Sequence, residues 1–156
     1  MAAACGAPAY AVPAEDVNID AAARATGNDR AEAVMVARAL LARSWAAQVV
    51  RVRVDRAASH RVAGITLLGV KLKRHVDSKS FYREANELVD LALAADPKLE
   101  EVDLRATVPA LHKQEVGEMD EPFVQTVFTL TVRRDDPRTR EAYFDPTWRA
   151  QLDNVR

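Results

Sequence analysis

The chain presents one amphipathic helical stretch followed by two strand-like stretches, and it repeats that order once. Apolar residues recur at helical spacing over about 29–47 and again over about 78–95. Each stretch leads into two segments that are rich in β-branched residues or that alternate between apolar and polar residues. A strand that buries only one side needs an apolar cover. The order therefore predicts an α+β domain in which the helices cover one face of a sheet.

The two helices are predicted from their apolar stripes and from capping residues. In the first helix the stripe is Val34, Ala37, Leu41 and Trp45, preceded by Asn28 or Asp29 as the cap. In the second it is Phe81, Ala85, Leu88 and Ala92, preceded by Asp77 or Ser78 as the cap. The second helix is expected to end at Asp96-Pro97, because the residue before a proline disfavours helical backbone.

Four segments have the pattern of strands, namely 49–55, 61–73, 102–108 and 124–133. Alternation in the first segment predicts that its valines face the helices and its arginines face away: Val50, Val52 and Val54 against Arg51 and Arg53. The resulting order αββαββ predicts a two-layer sandwich with a four-stranded antiparallel sheet and two helices on one face. This is the element order of a permuted ferredoxin-like fold.

The length of 156 residues is sufficient for one packed domain. We predict a flexible processing or tail segment over 1–27, an α+β domain over 28–134, and an extension over 135–156 that docks on the domain. Docking is expected because the extension carries the aromatic residues Tyr143, Phe144 and Trp148, which gain free energy by leaving water.

The first residues favour export from a bacterial cell. Small residues precede Cys5-Gly6, as at the end of a lipoprotein signal, and Ala9-Tyr10-Ala11 is similar to a secretory cleavage site. This predicts a periplasmic or cell-envelope protein whose membrane contact, if any, is lipidation at Cys5. The alternative is an alanine-rich tail on a cytoplasmic protein. No apolar run approaches the roughly 20 residues that a membrane-spanning helix needs.

No residue pattern predicts a catalytic, metal or cofactor site. The single cysteine cannot form an internal disulfide or a cysteine zinc cluster. The histidines, His60, His75 and His112, lie far apart in sequence and lack metal-binding spacing. The acidic residues Glu115, Glu118, Asp120 and Glu121 lack the spacing of a calcium loop. A hydrolase that uses His75 with Asp77 and Ser78 ranks last among the functional hypotheses, because adjacent residues rarely give triad geometry.

The sheet face away from the helices is the predicted partner or ligand surface. Alternation assigns to it cationic and apolar side chains: Arg51, Arg53, Ile65, Leu67, Lys71, Lys73, Arg105, Val127 and Arg133. Such a mixture suits a protein partner or a homodimer, and the alternative is a solvated face on which arginines pair across strands with Asp103. The net charge of -1 gives no global attraction to polyanions. The absence of aromatic residues from the assigned face also disfavours nucleic acid.

These observations predict a small exported bacterial domain without catalytic activity that binds or assembles through its open sheet face. The ligand is not specified by the sequence. A cytoplasmic domain that binds a polyanion or a nucleic acid through a basic sheet face is the alternative.

Overall fold

The computed structural model describes residues 30–43, 48–57, 60–69, 77–110 and 123–154. Their elements are α1 (Arg30–Leu41), β1 (Gln48–Ala57), β2 (His60–Leu68), α2 (Ser78–Ala95), β3 (Glu101–Ala110), β4 (Phe123–Arg133), β5 (Arg140–Phe144) and α3 (Pro146–Asn154). The predicted α+β class is confirmed. Several predictions fall outside the described residues, namely those on 1–27 with Cys5, on Lys71 and Lys73, on His75 and His112, and on the acidic residues 115–121. In the part of the chain that is described, no helix is long and apolar enough to cross a membrane.

The sheet differs from the predicted one in size and in direction. It has five strands in the order β1-β2-β3-β4-β5, and β2 pairs parallel with β3 while the other pairs are antiparallel. The predictions of a four-stranded antiparallel sheet and of a ferredoxin-like arrangement are therefore wrong. The reason is α2, which carries the chain from the end of β2 back to the start of β3, and such a crossover connects parallel neighbours.

Helix α2 follows the sequence prediction closely. Asp77 is its N-cap, and the carboxylate accepts a hydrogen bond from the backbone N–H of Ser80 at 2.7 Å. The predicted stripe is buried against the sheet: Phe81, Ala85, Leu88 and Ala92. The helix stops at Asp96, whose extended backbone precedes Pro97.

Two β-bulges change the side that neighbouring residues face. In β1 the register shifts between Val49 and Arg51, so that Val49 enters the core and Val50 is only half-buried. The predicted inward position of Val50 is therefore wrong, whereas Val52 and Val54 are buried as expected. A bulge adds one residue to one strand and interrupts its alternation.

Three residues assigned to the open face belong to the core instead. Ile65, Leu67 and Val127 are 0%, 1% and 0% exposed. Ile65 lies opposite the buried Val52, and paired residues of adjacent strands share a face. The side chains of β2 that were predicted to face the open side therefore face the helices. Val127 lies beside the second bulge, where the β3–β4 register shifts, and it is buried together with Phe128.

Three phenylalanines join α2 to the last two strands. The ring centroids of Phe81 and Phe128 are 5.2 Å apart, those of Phe128 and Phe144 are 5.3 Å apart, and those of Phe81 and Phe144 are 5.6 Å apart. All three pairs meet edge to face, the arrangement that the ring quadrupoles favour. This cluster fixes β5 to the domain.

Helix α3 is attached to the start of α2. The Asp153 carboxylate accepts hydrogen bonds from the backbone N–H and from the hydroxyl of Ser78, each at 2.8 Å. Leu152 is buried in the core beside this contact. A carboxylate at the first turn of a helix satisfies a free amide and interacts favourably with the helix dipole. The two helices are therefore joined by both polar and apolar contacts.

The opposite end of α2 is held by Arg134, which follows β4. Its guanidinium donates hydrogen bonds to the backbone oxygens of Leu93, Asp96 and Leu99. These oxygens lie in the last turn of α2 and in the connection to β3, where carbonyl groups lack partners within the helix. A cation at the C-terminal end of a helix also complements its dipole. Arg134 thus connects the end of β4 to the turn that starts β3.

Replacement of this guanidinium should reduce stability. We expect Arg134→Ala to lower the free energy of unfolding by about 1.5–3 kcal/mol, because hydrogen bonds to a charged group are lost and backbone oxygens lose their partners. Urea denaturation monitored by circular dichroism measures the change. Arg138→Ala is the matched control, since Arg138 is exposed on the nearby turn. Equal midpoints for the two variants would contradict the role of Arg134.

Candidate functional site

The open face of the sheet is the side that none of the described helices covers. The core cluster contains residues of α1, α2 and α3 together with one set of strand side chains. The alternate side chains of each strand lie on the opposite side and are exposed or half-buried. Alternation thus gives one apolar face and one polar face, as predicted.

Two rows of side chains cross this face at right angles to the strands. We call the first the arginine row, because consecutive pairings align Arg51, Thr66, Arg105, Thr129 and Tyr143 across all five strands. We call the second the mixed row, and it aligns Arg53, Gly64, Asp103, Thr131 and Glu141. With neighbouring strands about 4.8 Å apart, each row extends over roughly 19 Å.

The polar groups of the two rows differ in whether they are paired. Arg105 donates from Nε to the Thr66 hydroxyl at 3.2 Å, and the Thr131 hydroxyl donates to the Asp103 carboxylate at 2.7 Å. Arg53 forms an ion pair with Asp55 at 2.6 Å. Among the described residues, neither Arg51 nor Arg105 has a carboxylate within 4.0 Å. The arginine row therefore offers two guanidinium groups to an external anion.

A shallow concavity of about 480 Å³ lies between the two rows. Its lining includes Arg51, Arg53, Thr66, Asp103 and Arg105. Gly64 contributes to the concavity because it places no side chain between Arg53 and Asp103. A methyl group at position 64 would meet only the Arg53 side chain, at 3.9 Å, so the space is open. The concavity can accept a carboxylate between guanidinium groups.

A second concavity, of about 510 Å³, adjoins the first and is acidic. Thr131 lines both of them. The carboxylates in the second concavity belong to Glu101, Asp135, Asp136 and Glu141. Arg133 also lines it and pairs with Asp135 at 3.1 Å. The open face is thus cationic toward one end of its strands and anionic toward the other.

The predicted site residues divide into three groups. Arg51, Arg53, Arg105 and Arg133 are exposed on the open face. Ile65, Leu67 and Val127 lie in the core instead, and Lys71 lies outside the described residues. The arginines are balanced by acidic side chains of the same face, namely Asp55, Glu101, Asp103 and Glu141. The described part of the face is therefore mixed in charge rather than basic.

Sequence reasoning missed the aromatic residue of this face. Tyr143 is 56% exposed and lies on β5, opposite Thr129. The alternation within 140–144 could have identified this strand, because Phe144 packs inward and Tyr143 faces outward. The segment is only five residues long and follows a charged turn, so its pattern was too short to identify a strand.

The other sequence candidates have structural roles. Asp77 caps α2, and the Ser78 hydroxyl donates to Asp153, so both groups are used within the fold. His60 lies at the start of β2, with Nδ1 2.8 Å from Glu100 and Nε2 3.4 Å from Glu101. The described residues contain no group of three or more histidine, cysteine, aspartate or glutamate side chains that could hold a metal ion.

Comparison of the chain with protein-family models, curated proteins and solved structures finds no match. The functional interpretation of the open face therefore depends on its geometry and its charges.

The cap at Asp77 gives the stability of the fold a dependence on pH. Hydrogen bonds from the Ser80 backbone and hydroxyl hold the pKa of Asp77 below its ordinary value of 3.8. A carboxyl whose pKa is lower in the folded state stabilises the fold above the unfolded-state pKa, and this contribution is lost as the pH falls through the folded-state pKa. We expect wild type to lose more stability than Asp77→Asn between pH 6 and pH 2.

Asparagine is the appropriate replacement because it also caps helices but does not titrate. Thermal denaturation of both proteins across this pH range measures the difference. Parallel curves of melting temperature against pH would contradict the assignment of the lowered pKa to the cap.

Proposed function

We propose that this protein is a small exported bacterial binding or assembly domain without catalytic activity, which holds a protein partner on its open sheet face. The observation that carries the proposal is the arginine row, in which Arg51 and Arg105 flank Thr66 and Tyr143 ends the row. Arginine and tyrosine are enriched at protein interfaces, where they contribute much of the binding free energy.

The rigidity of the surface supports this function. The face is formed by five hydrogen-bonded strands, and the side chains behind it belong to the buried core. The backbone of a packed sheet loses little further freedom when a partner binds, so less free energy is spent on ordering it. A preformed surface of this kind suits recognition of a folded partner or an extended segment.

The charges on the face support a partner that carries both acidic and basic groups. Guanidinium groups without a carboxylate favour a partner that presents aspartate or glutamate to Arg51 and Arg105. The adjoining acidic concavity favours a lysine or arginine roughly two residues further along the strand direction. The preferred partner is therefore a surface with an acidic and a basic patch side by side, and a uniformly charged polymer fits less well.

Polyanion binding is the second candidate, and Tyr143 is the observation in its favour. An exposed tyrosine beside two arginines provides a surface on which a base can stack. The carboxylates of the same face oppose this use, because they repel phosphates. A fluorescent single-stranded oligonucleotide of about 20 nucleotides is the probe, and affinity that falls steeply with added salt would favour this candidate.

Export is part of the proposal and is tested apart from the face. The small residues before Cys5-Gly6 support lipidation of Cys5, and Ala9-Tyr10-Ala11 supports secretory cleavage. In bacteria that produce the protein, fractionation and labelling with an alkyne fatty acid are the measurements. Label that Cys5→Ser abolishes supports lipidation, whereas unlabelled protein in the cytoplasm contradicts export.

The interface is tested by photo-crosslinking in the producing cells. A benzophenone amino acid at Thr129 lies between Arg105 and Tyr143, and it should form an adduct of defined mass with the partner. We expect the double variant Arg51→Glu, Arg105→Glu to reduce the adduct at least about tenfold, the effect of roughly 1.4 kcal/mol in binding. Quantitative immunoblotting measures the yield.

Two controls make this result specific. The same crosslinker at Ala150, on the exposed side of α3, should not form that adduct. Arg38→Glu with Arg138→Glu changes the charge equally but at exposed positions away from the open face, and it should leave the yield unchanged. An adduct from Thr129 that persists in the double variant at the arginine row would refute the proposed interface.

A further inference from the structure

We infer that strand β1 pairs antiparallel with β1 of a second copy of this chain, and that Arg51 lies opposite the partner's Asp55. The pairing uses the edge of the sheet, whereas the proposed function uses its open face. Arg51 belongs to both surfaces, whereas Asp55 is not part of the arginine row, so Asp55→Arg tests the pairing by itself.

The first observation is the edge itself. β1 is the outermost strand of the sheet and, among the described residues, pairs only with β2. It has 10 residues, whereas β5 at the opposite edge has five. A long edge strand presents a row of backbone N–H and C=O groups that another strand can pair with. Valine at four of the first seven positions gives the strand high β propensity.

The second observation is the order of charges along β1. In a two-fold antiparallel pair, residues at equal distances on either side of the centre lie opposite each other. A centre at Arg53 places Arg51 opposite the partner's Asp55, and places Asp55 opposite the partner's Arg51. The same centre places Val52 opposite the partner's Val54, so apolar side chains meet apolar side chains. Regular pairing in this register extends from Arg51 to Asp55, between the bulges at Val50 of the two copies.

Neighbouring registers fit less well. A centre at Val52 places Arg51 opposite the partner's Arg53, and like charges directly opposite each other are unfavourable. A centre at Val54 pairs Arg53 with the partner's Asp55 but places no acidic residue opposite Arg51. The register centred on Arg53 is the one that gives Arg51 an acidic partner and pairs Val52 with Val54.

This register has one unfavourable contact, which provides a sharp test. Arg53 lies opposite the partner's Arg53 at the two-fold axis. The ion pair of each Arg53 with Asp55 of its own chain, at 2.6 Å, reduces the repulsion without removing it. Removal of this arginine should therefore strengthen the dimer, although most substitutions at an interface weaken it.

The pairing also satisfies Arg51. Its guanidinium has no carboxylate partner among the described residues of its own chain. In the dimer it meets the partner's Asp55 on the side of the sheet that carries the arginine row. The two five-stranded sheets then form one continuous sheet, and their open faces lie side by side.

Sedimentation equilibrium of the full chain tests the inference. We expect a wild-type dimer whose dissociation constant rises at least about tenfold in Arg51→Glu and in Asp55→Arg, because each change places two pairs of like charge at the interface. An equimolar mixture of the two variants should form a heterodimer in which both charge pairs are restored. Arg53→Thr should lower the dissociation constant.

Matched variants separate this result from misfolding and from the proposed function. Glu141→Arg changes a charge on β5 at the opposite edge and should leave the dissociation constant unchanged. Circular dichroism confirms that each variant is folded. A wild-type chain that remains monomeric up to about 1 mM overturns the inference. So does a dimer that the mixture of charge variants fails to restore. Arg105 and Thr129 lie on β3 and β4, away from this edge, so crosslinking at Thr129 in Arg105→Glu is judged independently of either outcome.

Discussion

The parallel pairing of β2 with β3 is the constraint on which the remaining structure depends. Each of these strands belongs to an antiparallel unit, β1–β2 on one side and β3–β4–β5 on the other. Among the described elements, α2 connects the two units in sequence, and its Phe81, Leu88 and Leu93 are buried in the common core. The contacts at the two ends of α2, through Asp153 and Arg134, attach this helix to the unit that contains β3, β4 and β5.

One-sided burial gives the molecule its functional character. All described helices lie on one face of the sheet, so burial of apolar side chains stabilises the fold on that face. The other face can therefore carry charged side chains. The strand register then decides which charges become neighbours. Arg51, Thr66 and Arg105 are far apart in sequence but adjacent in the sheet. A surface of this kind results from the register and not from any contiguous motif.

The sequence was sufficient for the α+β class, for the apolar stripe of α2 and for the cap at Asp77, because each of these depends on local spacing or local hydrogen bonding. In α1 the buried stripe is Ala33, Val36, Ala37 and Leu40, whereas the predicted Val34 and Leu41 are only partly buried. The sequence was not sufficient to decide which side chains of β2 face the helices. Residues 61–68 carry apolar side chains on both sides, and only the pairing of Ile65 with Val52 decides which side is inward. Bulges beside Val49 and Val127 arise from pairing with another strand, so alternation within one strand does not reveal them.

The contact between Ser78 and Asp153 has a consequence for synthesis of the chain. The two residues are 75 positions apart, and the Asp153 carboxylate is synthesised after Ser78. At about 5–20 residues per second, translation separates them by roughly 4–15 seconds. During that interval the amide and hydroxyl of Ser78 lack this partner. The beginning of α2 thus acquires its final environment after all five strands of the sheet have been synthesised.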